Sequence, residues 1–184
     1  YGSDFQFYDS ASIPKSAERI VELYLRETAK YGVDNVALLS PYRQKTETGV
    51  NALNELLREK INPPAPDKAE VVHGTRRFRC GDKVMQIKND YDIPYERDGA
   101  EAGVGAYNGD MGIITAVDPE SRAVTVQMDD RKYIYGADQL AELEPAYAVT
   151  VHKSQGSEFP AVIMPVADVP ARLCYRNLLY TGVT

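Results

Sequence analysis

The sequence has few cysteines, no long apolar run and no leader-like start. Its two cysteines, Cys80 and Cys174, lie far apart without CxxC or Cys/His spacing. This favours reduced structural thiols over a cysteine metal site or a disulfide. No stretch approaches about 18 consecutive apolar residues, and the first residues, YGSD, carry no basic and apolar leader. We therefore expect a cytoplasmic protein with neither a membrane span nor a signal peptide.

The chain also lacks an excess of positive charge, with 21 basic against 27 acidic residues and a net charge of −6. This balance excludes a nonspecific basic coat for nucleic acid but leaves room for a local groove. Basic residues cluster at Arg76, Arg77, Arg79, Lys83 and Lys88, and acidic residues follow at Asp90, Asp92, Glu96, Asp98 and Glu101. A solvated face beside an acidic loop is the alternative interpretation of this cluster.

The first third of the chain has an alternating α/β pattern. Residues 5–8 form a strand candidate, and Ser12 with Pro14 marks a helix start whose helix ends at Gly32. The continuous apolar run at residues 36–39 is typical of a buried parallel strand. A second apolar helical stripe begins at Val50 and is terminated by two prolines at 63 and 64.

The middle of the chain changes to short β runs separated by turn residues. We predict strands at residues 83–87, 112–117, 123–128 and 132–135, and a mobile loop over residues 94–105. Tyr133 and Tyr135 lie at strand spacing and are predicted to pack. Such strands favour a small barrel, inserted before the α/β pattern resumes with strands at 148–151 and 161–164 and a helix at 171–180.

The segment from Thr150 to Phe159, TVHKSQGSEF, is an unusually polar connection between two strands. It resembles motif V of superfamily 1 helicases, and the KSQG within it resembles the RecD type, the exonuclease V alpha subunit and its relatives. Residues 39–43 with 48–54 are similar to motif IV of that family, and residues 179–184 to the start of its motif VI. Residues 81–85 and 107–112 resemble its SH3-like 2B barrel.

The resemblance implies a RecA-like 2A domain with an inserted SH3-like barrel. The predicted boundaries are residues 1–75 and 145–184 for the α/β domain, truncated within motif VI, and residues 76–144 for the barrel. The implied protein is an ATP-dependent DNA helicase that moves 5′ to 3′ on single-stranded DNA. Implied partners are the N-terminal RecA-like domain of the same chain and recombination or repair subunits, with no membrane.

No GxxxxGK[ST] phosphate loop and no acidic Walker B strand appear in the sequence. The resemblance implies ATP and Mg²⁺ as cofactors of the intact protein, so we expect the Mg²⁺ ligands outside this chain and no ATPase activity from the chain alone. Two other interpretations stay open: a conjugative relaxase-helicase motor of the TraA type, and a noncatalytic module that binds nucleic acid or protein.

Motif V carries two predicted sets of site residues. By the resemblance, Thr150, His152 and Lys153 face the nucleic acid, where a hydroxyl, an imidazole and an ammonium suit phosphate groups. The second set, predicted to bind the nucleotide, is Gln155, Gly156 and Glu158. The glycine allows the backbone to approach the ligand closely, and the carboxylate can accept hydrogen bonds from ribose hydroxyls.

Tyr42 and Arg43 follow a predicted strand at its carboxyl end, the edge where α/β sheets bind ligands. We predict that Tyr42 stacks on adenine and that Arg43 is catalytic, stabilising the transferring γ-phosphoryl group. Gln44 or Lys45 are the alternatives if the register differs. In the barrel, candidates for contacting single-stranded nucleic acid are Lys83, Lys88, Asn89, Tyr107 and Asn108.

Overall fold

The computed structural model describes residues 5–9, 12–41, 43–44, 47–99, 101–154 and 158–166. No helix within these residues is both long and apolar enough to cross a lipid bilayer. The helices and strands, in chain order, are α1 (Ile13–Tyr31), β1 (Val36–Ser40), α2 (Val50–Ile61), β2 (Glu70–His73), β3 (Arg76–Arg79), β4 (Lys83–Gln86), β5 (Asp90–Arg97), β6 (Gly103–Ala106), β7 (Met111–Asp118), β8 (Ala123–Met128), β9 (Arg131–Tyr135), β10 (Leu143–Pro145), β11 (Ala148–Thr150) and β12 (Ala161–Ile163).

Helix α1 begins and ends where its capping residues predict. The Ser12 side chain accepts a hydrogen bond from the Lys15 backbone N–H at 3.5 Å, and a proline occupies the first turn. At the other end Gly32 adopts φ 86° while its N–H bonds the Thr28 carbonyl. A positive φ is accessible to glycine at little steric cost, so the helix stops there.

Three parallel strands in the order β11-β1-β12 form the α/β sheet. All five residues of β1 are buried, as its continuous apolar run predicts. One face of the sheet packs on α1 and α2 through residues that include Val36 and Leu38. The opposite face, which includes Ala37 and Leu39, packs on Met85 of the barrel. The sheet is thus covered on both sides, with the barrel as its second layer.

The inserted region forms a curled antiparallel sheet of seven strands in the order β10-β4-β7-β8-β9-β5-β6. The alternation of Val124, Val126 and Met128 places these side chains in its core. Tyr133 and Tyr135 are fully buried, which confirms that they pack. The four strands predicted between residues 83 and 135 are all present, which confirms an α/β sheet with an inserted small barrel.

Two hairpins differ from the sequence predictions. The predicted mobile loop at 94–105 is wrong over most of its length, because β5 and β6 pair with Pro94 opposite Val104. β6 is the edge strand, and its glycine and the charges around it suggested a loop. The basic cluster after residue 75 lies partly in β3, which pairs with β2.

The strand candidate at 5–8 is also wrong, since residues 5–9 form no strand.

The C-terminal helix and the exact limits of the inserted region stay predictions. The helix at 171–180 lies outside the described residues. The antiparallel sheet runs from Lys83 to Pro145, but the exact limits of the insertion at 75/76 and 144/145 stay predictions.

The prediction that Lys83 contacts nucleic acid is wrong, because its side chain does not reach the protein surface. Its side chain is 2% exposed. Its ammonium donates to the carbonyls of Val33 at 2.8 Å, Val36 at 3.2 Å and Asp34 at 3.5 Å. These carbonyls stand at the amino end of β1, so Lys83 joins the barrel to the parallel sheet. The basic cluster in the sequence masked this structural role.

Lys83 makes stability depend on pH. Burial lowers the pKa of Lys83 to about 8 from an ordinary value of 10.5. Between these values the unfolded chain binds more protons at this residue than the folded chain, so raising the pH favours folding. We expect the free energy of unfolding of the wild type, minus that of Lys83→Met, to rise from pH 8 to 10.5 by at most about 3 kcal/mol. Urea unfolding followed by circular dichroism at pH 7, 9 and 10 measures this difference.

The Lys83→Met variant keeps the length and apolar stem of the side chain while removing its titration. Every other titrating group is common to the two proteins, so its contribution cancels in the difference. A difference that stays flat or falls over this pH range would contradict the buried, depressed lysine.

Candidate nucleic-acid and nucleotide interface

The loops after β1 and β11 begin at the same edge of the parallel sheet. The two strands are parallel neighbours with Ser40 opposite Thr150, so both carboxyl ends point the same way. Asn54 of α2 fixes β11, because its amide donates to the Ala148 carbonyl at 2.8 Å and accepts from the Ala148 N–H at 2.9 Å. This edge is where ligands bind in open α/β sheets.

A 3₁₀ turn at Val151–Ser154 follows β11 and presents two of the predicted nucleic-acid residues. Val151 is buried in the face shared with the barrel, and the Ser154 hydroxyl donates to its carbonyl at 2.8 Å. These contacts fix the turn from inside. His152 is exposed and Lys153 is half-buried, so a cation and an imidazole are held on a short, anchored segment.

Lys153 reaches the barrel, where its ammonium donates to the side-chain oxygen of Asn108. Asn108 lies in the turn between β6 and β7, and the Asp110 carboxylate closes that turn by accepting from the Tyr107 N–H at 3.0 Å. Gly109 adopts φ 105° there. The structure therefore brings the motif V turn and the barrel turn together, which the sequence predicted only as separate segments.

The same surface continues along the barrel through a chain of hydrogen bonds. The Asn108 N–H donates to the Asn89 side chain at 2.9 Å, and the Asn89 amide donates to the Tyr91 hydroxyl at 3.0 Å. The rings of Tyr91 and Tyr107 meet edge to face with centroids 6.1 Å apart. They are 62% and 47% exposed, a large aromatic area for a protein surface.

Tyr91 is the residue that the sequence analysis missed. It stands between two aspartates in the stretch interpreted as acidic, and it lies two residues after Asn89. Strand spacing of two would have placed these side chains on one face. The pairing of its ring with Tyr107 depends on the fold and has no local signal in the sequence.

Lys88 lies at the surface but has an acidic partner. Its ammonium is 2.8 Å from Glu142 Oε1, and this carboxylate raises the pKa of Lys88. Glu142 is itself buried and accepts a second bond from Gln86. Part of the Lys88 charge is therefore already compensated, and its predicted contact with nucleic acid stays a prediction.

Arg43 stands in the loop after β1, at the carboxyl edge, with its side chain 49% exposed. Its guanidinium donates to the carboxylate of Glu144, a residue of β10. The second oxygen of that carboxylate accepts from Arg76 at 2.9 Å. The backbone carbonyl of Arg43 accepts from the Asn51 N–H at 3.2 Å, so the main chain is tied to α2 while the guanidinium lies near water.

Of the other predicted nucleotide contacts, only Glu158 lies within the described residues. Tyr42, Gln155 and Gly156 lie outside the described residues. Glu158 is exposed, and three residues later Ala161 pairs with Val36 at the amino end of β1. Its contact with ribose stays a prediction. Within the described residues no group of three or more acidic, histidine or cysteine side chains could hold a metal ion.

Two family models match the chain in consecutive segments. The SH3 domain of ATP-dependent RecD-like DNA helicases matches residues 53–128, from α2 to the end of β8. The UvrD-like helicase C-terminal domain matches residues 145–184, which contain the motif V turn.

Proteins of the RecD type are among the whole proteins that resemble this chain. The ATP-dependent RecD2 DNA helicase of Deinococcus radiodurans is 31% identical over 171 residues, covering 93% of this chain and 21% of the relative. The RecBCD enzyme subunit RecD of Mycobacterium tuberculosis is 30% identical over 174 residues, covering 88% and 26%. The chain thus spans about a quarter or less of these relatives.

The fold also has a solved counterpart. A structure of two coordinating Pif1 helicases at forked double-stranded DNA superposes with a TM-score of 0.51 at 16% identity, over 95% of this chain and 44% of that one. At this identity the likeness concerns the fold alone. The two matched segments, their order along the chain and the RecD relatives show that the chain belongs to the RecD-like DNA helicases, within the region of their SH3 domain and UvrD-like C-terminal domain.

Proposed function

We propose that this chain is the second motor domain of an ATP-dependent DNA helicase of the RecD type, which moves along single-stranded DNA in the 5′ to 3′ direction. The observation that carries the proposal is the contact of Lys153 with Asn108. This contact joins the loop after β11, at the carboxyl edge of the parallel sheet, to the turn between β6 and β7. One continuous surface can then contact single-stranded DNA and lie next to the edge where the nucleotide would bind.

The chemistry of this surface suits a single strand. His152 and Lys153 can meet phosphates, and the amides of Asn89 and Asn108 can bond phosphate or sugar oxygens. Exposed tyrosine rings can stack on bases without regard to sequence, because every base has a π-face. A net charge of −6 makes such a local arrangement, rather than a basic coat, the source of affinity.

The carboxyl edge also suits a nucleotide. Arg43 offers a half-exposed guanidinium, whose planar donors match phosphate oxygens. ATP would supply the γ-phosphoryl group, and Arg43 would stabilise the charge that spreads over it in the transition state. We assign the phosphate loop and the Mg²⁺ ligands to the other RecA-like domain of the intact protein.

The partners follow from the same assignment. The N-terminal RecA-like domain completes the ATP cleft, and single-stranded DNA occupies the joint surface. The Mycobacterium relative is named as a subunit of RecBCD, so we include recombination and repair subunits among the partners of the intact protein, and we place it in the cytoplasm.

Replacing Lys153 tests the phosphate contact. In the intact helicase, Lys153→Ala should weaken binding to single-stranded DNA and reduce the slope of log affinity against log salt by about one unit or less, because one fewer counterion is released. Fluorescence anisotropy with labelled oligonucleotides at several salt concentrations measures both quantities. Lys60→Ala, which removes an exposed lysine at the end of α2, is the matched control and should change neither. An unchanged slope in a folded Lys153→Ala protein would contradict the proposed surface.

Replacing Tyr91 tests base stacking at the position that the fold revealed. Tyr91→Ala should cost about 1 to 3 kcal/mol of binding free energy for single-stranded DNA, the usual value of one stacked base. Tyr91→Phe keeps the ring and loses only the hydroxyl that accepts from Asn89, so it should retain most of the affinity. Titrations with oligothymidine and with an abasic oligomer of equal length separate stacking from phosphate contacts. Equal affinities of the alanine and phenylalanine variants would show that the ring does not stack.

Replacing Arg43 tests the motor. Arg43→Ala should cut the DNA-stimulated kcat for ATP by up to about 10³- to 10⁵-fold, the range for an arginine finger, while KM changes much less. Arg43→Lys keeps the charge but loses the planar fork, so it should recover only part of the rate. Steady-state ATPase assays on the intact protein decide this. A wild-type rate for both variants would refute the assignment, and an intact protein without DNA-stimulated ATPase would favour a noncatalytic binding module.

A further inference from the structure

Glu144 is shared between two arginines that come from different parts of the chain. One carboxylate oxygen accepts from Arg43 of the loop after β1, and the other accepts from Arg76 of β3 at 2.9 Å. The glutamate side chain is only 15% exposed. It lies in β10, opposite Met85, where the chain leaves the barrel and returns to the parallel sheet.

The two arginines are held to different degrees. Arg76 has three acceptors, since it also donates to the carbonyls of Ala141 at 3.1 Å and Leu143 at 3.0 Å. Arg43 is half-exposed and pairs with the carboxylate of Glu144. A half-exposed guanidinium keeps part of its hydration, so its ion pair contributes little free energy and is readily exchanged. The Arg76 contact is therefore the fixed one, and the Arg43 contact is the one that a ligand can replace.

We propose that Glu144 is a positioning residue that holds Arg43 while the γ-phosphate is absent and gives it up when ATP binds. The inference rests on the proposed role of Arg43 toward that phosphate. A carboxylate and a phosphate each offer two oxygens to the planar guanidinium, so they compete for the same N–H donors. ADP lacks the γ-phosphate, and its binding is not part of this competition.

Nucleotide binding to the intact protein tests the exchange. Glu144→Gln keeps an acceptor for Arg76 but removes the charge that holds Arg43. We expect it to tighten the Kd of a non-hydrolysable ATP analogue by about 1.5- to 5-fold, which corresponds to a weak exposed ion pair, and to leave the Kd of ADP unchanged. Glu120→Gln makes the same chemical change on an exposed turn of the barrel and should alter neither constant.

A double-mutant cycle separates the positioning role from a structural one. In the Arg43→Ala background Glu144→Gln should have no further effect on the ATP analogue, because the competing donor is gone. Equal effects on the ATP analogue and ADP, or an effect that persists without Arg43, would overturn the inference while leaving the Arg43 assignment intact.

Two further measurements distinguish failure of the proposed Arg43 role from failure of the Glu144 inference. If Arg43→Ala leaves the ATPase rate unchanged, the proposed function of Arg43 fails first, and the inference fails with it. Glu144→Asp shortens the side chain by one methylene while keeping the charge; should the glutamine variant not fold, the aspartate variant must still favour the ATP analogue over ADP relative to wild type, or the inference is wrong.

Discussion

The joint between the barrel and the parallel sheet depends on the carboxylate of Asp82. It is 3% exposed and accepts from Arg58 Nε, Asn62 Nδ2 and the Arg79 N–H, each at 2.8 Å, and from the Tyr147 hydroxyl at 3.3 Å. A buried carboxylate is unfavourable unless its acceptor sites are filled. The donors come from α2 and its end, from β3 and from the segment before β11, so all of these must be in place together.

The buried Asp82 network also fixes the strand that leads into the candidate site. Tyr147, bonded to Asp82, directly precedes Ala148, whose backbone N–H and C=O are both satisfied by the side chain of Asn54. The strand that leads into the motif V turn is therefore fixed at its start by a buried network. Lys153 then reaches Asn108 from a defined position. The nucleotide and nucleic-acid contacts that we propose for this loop need such a rigid base, because a small misplacement of contact groups costs much of their effect.

Local patterns predicted both described helices and several of the strands, whereas the hairpin of β5 and β6 and the contacts between elements had no such local signal. The buried run of β1, the caps Ser12 and Gly32 of α1 and the alternation in β8 each have a cause within a few residues. Lys83 has acceptors that lie about fifty residues away in the sequence, at Val33 to Val36, so no local pattern could distinguish it from a surface lysine. The resemblance to motif V supplied the candidate residues of the turn, but not the barrel surface that they meet.

Besides the Asp82 network, the barrel contacts the parallel sheet and its loops at two opposite edges. At the amino end of β1 the ammonium of Lys83 is buried among carbonyls, and such polar contacts are costly to break. At the carboxyl edge Lys153 contacts Asn108 and Arg43 contacts Glu144, and both of these cations are partly exposed. Contacts of a partly exposed cation cost less to break than those of a buried one, because the freed cation regains its hydration. The barrel is thus held at one edge by a buried ammonium and at the other edge by cations that solvent already reaches.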